Sequence, residues 1–110
     1  MAYDEELAAR IRGLVGDRPQ LTEQRMFGGL AFLIGGNMAV AASGQGGVLV
    51  RVDPAESDDL VATTPAEPME MRGRSMRGWL RVAAADVASD AELGEWVTRG
   101  VAYAASLPAK

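Results

Sequence analysis

The sequence predicts an α+β fold, an antiparallel sheet of about five strands with helices packed on it, in the order α-β-β-β-α-β-β-α. Three observations predict it. The stretch from Met26 to Val50 contains no lysine, arginine, aspartate or glutamate, and glycine clusters cut it into pieces of strand length. Amphipathic helical patterns stand at both ends of the chain. Between them a second alternating segment, Met69 to Ala83, has the period of a strand pair.

The uncharged stretch is long enough to cross a membrane but has the wrong texture, because glycine is a poor helix former. Gly28-Gly29, Gly35-Gly36-Asn37 and Gly44-Gln45-Gly46-Gly47 are turn or bulge compositions that supply positive φ. Three strands are expected here. The first runs from Thr22 to Ile34 with a bend at Gly28-Gly29, the second from Met38 to Ser43, and the third from Val48 to Asp53. On the third, Val48, Val50 and Val52 alternate with Leu49 and Arg51, as in a half-buried antiparallel ribbon.

Before the meander, Leu7, Ile11, Leu14 and Val15 recur at helical spacing from Tyr3 to Val15, with Asp4, Glu5 and Glu6 at the positive end of the macrodipole and Gly16 as a C-terminal cap. After it, Asp53-Pro54-Ala55-Glu56 combines an N-cap acceptor, a proline at the first helical position and a glutamate three residues after the cap. That helix is short, ending near Ala62 ahead of Pro65 and Pro68. In the Met69 to Ala83 hairpin the turn falls at Gly73-Arg74-Ser75. Arg77, Trp79 and Arg81 then share one face and Gly78, Leu80 and Val82 the other, unless a bulge at Gly78 shifts the register. Ser89-Asp90-Ala91-Glu92 is a capping box, and Leu93, Trp96, Val97, Val101, Ala104 and Leu107 form the apolar stripe of the last helix. Pro108 ends it, with Lys110 near its negative end.

Residues 1–110 fit one domain with a single core. The net charge of -4 gives no global attraction for nucleic acid or anionic membrane, so any such contact needs a local patch. The chain has neither cysteine nor histidine, which removes thiolate chemistry, the usual general base and the commonest metal ligands. No catalytic residue, cofactor or metal site is expected. The acidic start, MAYDEELAAR, lacks the apolar run of a signal peptide, and a cytoplasmic setting is expected.

Two apparent motifs have plain explanations. Gly44-Gln45-Gly46-Gly47 leads into a strand instead of a helix N-terminus, so it is a hairpin turn and no phosphate cradle. Asp58, Asp59 and Glu56 are ordinary acids of an exposed helix. The segment Arg72, Arg74, Arg77 and Arg81 is different, with four cations in ten residues, no acid among them, and Met76 and Trp79 interleaved. Its candidate role is contact with phosphate or with an acidic partner, Trp79 serving as a stacking residue. Met26, Met38, Met69, Met71 and Met76 fill a core or, on an exposed face, suit an adaptable interface.

Arg25-Met26-Phe27-Gly28-Gly29 with its apolar strand, the Gly-Asn turn, Leu49-Val50-Arg51-Val52-Asp53, Trp79-Leu80-Arg81-Val82 and Ser89 to Val97 together resemble the N-terminal domain of the TfoX/Sxy competence regulators. The similarity covers nearly the whole chain. It implies a domain related in shape to secretion-chaperone-like folds, in bacterial cytoplasmic proteins that act as accessory regulators of transcription with a protein partner. In competence regulators a C-terminal helical domain follows, of which these 110 residues hold no counterpart, so a stand-alone N-terminal domain is expected. The expected function is a non-enzymatic regulatory or protein-interaction module whose partner is a transcription regulator. A homodimer through a sheet edge or the methionine-bearing face is left open. The alternative is nucleic-acid binding by the Arg72 to Arg81 hairpin.

Overall fold

The computed structural model describes residues 3–109 apart from Asp17, Phe27 and Arg72, and leaves the Met71 and Ser75 side chains undescribed. Expectations placed on Phe27, the Arg72 and Met71 side chains and Lys110 therefore lie outside the described residues. The elements are α1 (Glu5–Val15), β1 (Leu21–Met26), β2 (Gly29–Ile34), β3 (Asn37–Ala42), β4 (Val48–Arg51), α2 (Pro54–Thr63), β5 (Glu67–Met71), β6 (Arg74–Val82) and α3 (Asp90–Ser106). A 3-10 turn, Ala84–Val87, precedes α3.

The fold is α+β, with one six-stranded antiparallel sheet in the order β1-β2-β3-β4-β6-β5. The sixth strand corrects the expected single strand from Thr22 to Ile34. Gly28 takes φ +75°, Met26 pairs with Gly29 across a two-residue connection, and the chain folds back as the β1–β2 hairpin. Gly29 is the close-approach position, because a Cβ there would fall within contact distance of the Ala42 carbonyl. The Gly35-Gly36 and Gly44 to Gly47 turns are as expected, whereas the turn expected at Gly73-Arg74-Ser75 closes earlier, since Arg74 and Ser75 already pair with Met71 and Glu70 in the β5–β6 ladder. Gly46 and Gly47 have φ +93° and +70° in the β3–β4 turn, where the Gly47 carbonyl accepts from Ser43 N–H.

α2 and α3 start where their capping chemistry predicts, while α1 starts at Glu5 instead of the expected Tyr3, with Asp4 as its N-cap. Asp4 accepts from the N–H groups of Glu6 and Leu7, and Asp53 from that of Ala55. Ser89 Oγ accepts from Glu92 N–H and donates to the Glu92 carboxylate. These bonds occupy donors that the first turn leaves without intrahelical partners. At the other end, Asn37 donates its side-chain amide to the Pro108 carbonyl at 2.9 Å, fastening the end of α3 to the β2–β3 turn. Asn37 is buried, and this bond is what makes burying its amide tolerable.

The two faces of the sheet have different neighbours. Leu30, Phe32, Ile34, Val40, Ala42, Val48, Val50, Leu80 and Val82 face the helices and join Ile11 of α1, Leu60 of α2 and Leu93, Trp96, Val97 and Val101 of α3 in the main core. Leu14, expected in the α1 stripe, is 42% exposed. Ala31, Leu33, Met38, Ala41, Leu49 and Met69 form a second cluster on the opposite face, with Met26 and Trp79 packed against it. Every member of this cluster comes from a strand.

Two irregularities shape the sheet. Phe32 pairs with Val40 and Leu33 with Met38, so Ala39 is an extra residue in β3. Pro68 pairs with Leu80 and Met69 with Met76, leaving Arg77-Gly78-Trp79 bulged out of the β5–β6 ladder. Gly78 has φ +85°, donates its N–H to buried Ser57 Oγ on α2 and accepts from Val52 N–H, so the bulge keeps its backbone groups bonded. Bulges bend and twist the strand that carries them.

At the edge of the molecule, Arg12 of α1 clamps Glu23 of β1 with two charge-assisted hydrogen bonds of 2.6 and 2.8 Å. The hydrogen bond from Arg12 is the main cause that holds the Glu23 carboxyl below its usual range; the Arg12 charge acts in the same direction, and slight burial opposes both. A lowered carboxyl favours the folded state above the unfolded carboxylate pKa of about 4.3, and the contribution is lost as pH falls through the folded value. Arg12→Ala is expected to return the Glu23 carboxyl to the ordinary range in an NMR titration. An unmoved Glu23 resonance would mean that the clamp is not formed in solution.

Candidate binding groove

The second face is hollow. Ala31, Met38, Ala41, Leu49 and Met69 floor a groove of about 670 Å³, with Met26 at its β1 side and Glu67 and Glu70 at its β5 side. β1 and β5 are the two edges of the sheet, so a sheet whose edges line one hollow is curled around it. The depth has a local cause. Ala31 of β2 and Ala41 of β3 are direct cross-strand partners in the floor, where larger residues would fill the hollow, while methionines and a leucine stand around them. Methionine has a flexible, polarizable side chain that adapts to differently shaped apolar partners.

One end of the groove is polar. The β3–β4 turn brings Ser43, Gly44 and Gln45 to it, and Arg81 of β6 lies across from them. Arg81 is partly buried, and its Nη2 donates to Ser43 Oγ at 3.4 Å; Ser43 Oγ also accepts from Gln45 N–H. Among the described residues no carboxylate comes within 4.0 Å of the Arg81 guanidinium, although Glu67 is its direct cross-strand partner.

The arginine segment is not one surface. Arg74 is exposed beside the β5–β6 turn. Arg77 reaches α2, donating to the Pro54 carbonyl at 3.3 Å and lying 3.8 Å from the Asp58 carboxylate. Trp79 and Arg81 face the groove side. The expected shared face of Arg77, Trp79 and Arg81 is thus broken, and the Gly78 bulge is the reason, since it turns Arg77 towards the helices. Trp79 already has a cation of its own. The Arg51 guanidinium lies 5.0 Å from its ring centre and 5.6 Å from that of Tyr103 on α3, within cation–π range of both.

Sequence reasoning had singled out Met26, Met38 and Met69 as core or interface, and Arg81 as a contact residue. It missed Ala31, Ala41, Leu49 and Glu67 as parts of one hollow. For Ala31, Ala41 and Leu49 the signal available was alternation: each stands out of phase with the residues of its strand that face the helices.

The sequence matches the TfoX N-terminal domain over residues 14–104. The chain belongs to the TfoX N-terminal domain family. Among curated proteins none matches it significantly. The family match spans all six strands, both bulges and nearly all of α3, so the groove lies within the part of the chain that makes it a TfoX N-terminal domain. Among the described residues no helix is long and apolar enough to cross a membrane.

Proposed function

We propose that this TfoX-type domain is a non-enzymatic, cytoplasmic interaction module that takes part in transcription regulation by docking a protein partner in the groove. One observation carries the reading: the hollow, methionine-lined face runs from one sheet edge to the other, and among the described residues no helix contributes to it. Its floor is made of alkyl and thioether groups, which bind by excluding water. Its polar side chains, Ser43, Gln45, Glu67, Glu70 and Arg81, stand at one end and along the β5 rim, the arrangement of a recognition site.

Site-specific photocrosslinking in cells tests it. A photoreactive phenylalanine analogue at Met26, half-buried on the groove rim, is expected to capture a protein partner, while the same group at exposed Ala9 on α1 is not. Capture from Ala9 alone, or from neither position, would overturn the reading. The nucleic-acid alternative now rests on exposed Arg74 and Arg77, because Trp79 and Arg81 face elsewhere. It predicts binding that weakens steeply with salt and is abolished by reversing both charges.

A further inference from the structure

Resting on the docking reading above, we infer that the partner enters the groove with an acidic apolar segment: apolar side chains over Met38, Leu49 and Met69, and an aspartate or glutamate paired with Arg81. The inference comes from the contrast between Arg81 and the cations that already have a carboxylate neighbour. Arg10 pairs with Asp90 at 3.1 Å, Arg12 with Glu23 at 2.6 Å, and Arg77 lies near Asp58. Arg81 is drawn into the polar end of the hollow, and among the described residues only a serine hydroxyl receives it there.

A guanidinium partly removed from water beside apolar surface gains more from a carboxylate than one in open solvent, because the competing water is fewer and the local dielectric lower. Its planar fork can present two parallel N–H donors to one carboxylate. Ser43 fixes the position, since its hydroxyl is itself held by the Gln45 N–H in the turn. Glu67 and Glu70 on the same rim repel a purely anionic occupant and favour a cation next to the acid. That pattern fits a polypeptide, which carries both charges, better than a fatty acid or a nucleic acid.

The test is selection of a displayed library of random twelve-residue peptides on the whole protein, repeated on Arg81→Glu and on Ala41→Trp, which fills the floor. Circular dichroism and thermal melting check that each variant folds. Wild-type protein is expected to enrich apolar peptides with one conserved acid. Arg81→Ala should weaken them about ten- to a hundredfold, the range of a charge-assisted hydrogen-bonded pair. Arg81→Glu should shift the selected residue from acid to base, and Ala41→Trp should abolish binding.

If binding is lost in Ala41→Trp but the same acid is selected on Arg81→Glu, the assignment to Arg81 fails while the docking reading stands. If the selected peptides still bind Ala41→Trp, or none is enriched, both fail. A dimeric solution mass that Ala41→Trp makes monomeric gives the groove to a second copy of the chain. Sodium decanoate binding more tightly than every selected peptide makes it a site for amphiphiles. Either result overturns the proposal. Should Ala41→Trp not fold, Arg81→Glu alone decides, because Arg81 makes no ion pair with a described residue for the substitution to break.

Discussion

Replacing Phe32 with alanine is expected to destabilise the protein by about 3–5 kcal/mol, the range for deleting a fully buried aromatic side chain. Phe32 is completely buried in β2, on the face that meets the helices, and is the largest side chain with so little exposure. Its two neighbouring strands are fixed by long ladders, β1 on one side and β3 on the other, so the space it leaves cannot easily collapse. The Arg12 guanidinium lies 5.9 Å from its ring centre and loses that contact too. Against a total stability of about 5–15 kcal/mol, the loss removes about a fifth or more of what holds the domain folded. Urea denaturation followed by circular dichroism measures it. Leu14→Ala is the control, since Leu14 has a similar character but is 42% exposed and should cost no more than about 0.5 kcal/mol. Equal losses at the two positions would show that the main core is not built around Phe32.

The parts of this fold that were legible in the sequence are those set by local chemistry. The Gly44 to Gly47 turn needs positive φ, which only its own residues supply, and the starts of α2 and α3 are written in Asp53-Pro54 and Ser89 to Glu92. β1 was hidden because it is an edge strand. Its four central residues, Thr22, Glu23, Gln24 and Arg25, are all exposed, so no alternation marked it as separate from β2. The groove was hidden for a different reason. Ala31, Ala41, Leu49 and Met69 lie on four strands, and they surround one hollow only because the sheet curls. The residues that interrupt the ladders, Ala39 and Gly78, reveal nothing of that curl in one dimension, although Gly78 was recognised as a place where a bulge would change the register. Neighbouring cations in sequence likewise did not become neighbours in space, because the bulge at Arg77-Gly78-Trp79 sends Arg77 and Arg81 to opposite faces.

Gly100→Ala should destabilise the protein although it improves the helix. In the interior of an exposed helix, alanine is favoured over glycine by about 1 kcal/mol. α3 holds two glycines that separate this preference from packing. At Gly94 an added Cβ meets no atom within 4 Å, so Gly94→Ala is expected to stabilise by about 0.5–1 kcal/mol. At Gly100 the same methyl group would fall within contact distance of the Ala39 carbonyl oxygen, 3.0 Å from the carbonyl carbon and 3.3 Å from Val50 Cγ1. The obstruction is mostly backbone, and it belongs to the bulged residue of β3, so no side-chain rotation relieves it. α3 must lift from the sheet, loosening Trp96, Val97, Val101 and Ala104 in the main core. Overpacking of this kind costs about 1–3 kcal/mol, and with backbone as the obstacle the upper end applies, leaving a net loss of about 2 kcal/mol after the helix preference is counted. Thermal unfolding of the two variants side by side should move their midpoints in opposite directions. If Gly100→Ala raises the midpoint as Gly94→Ala does, α3 does not rest on β3 as closely as described, and the support beneath the groove floor is looser than the curl of the sheet requires.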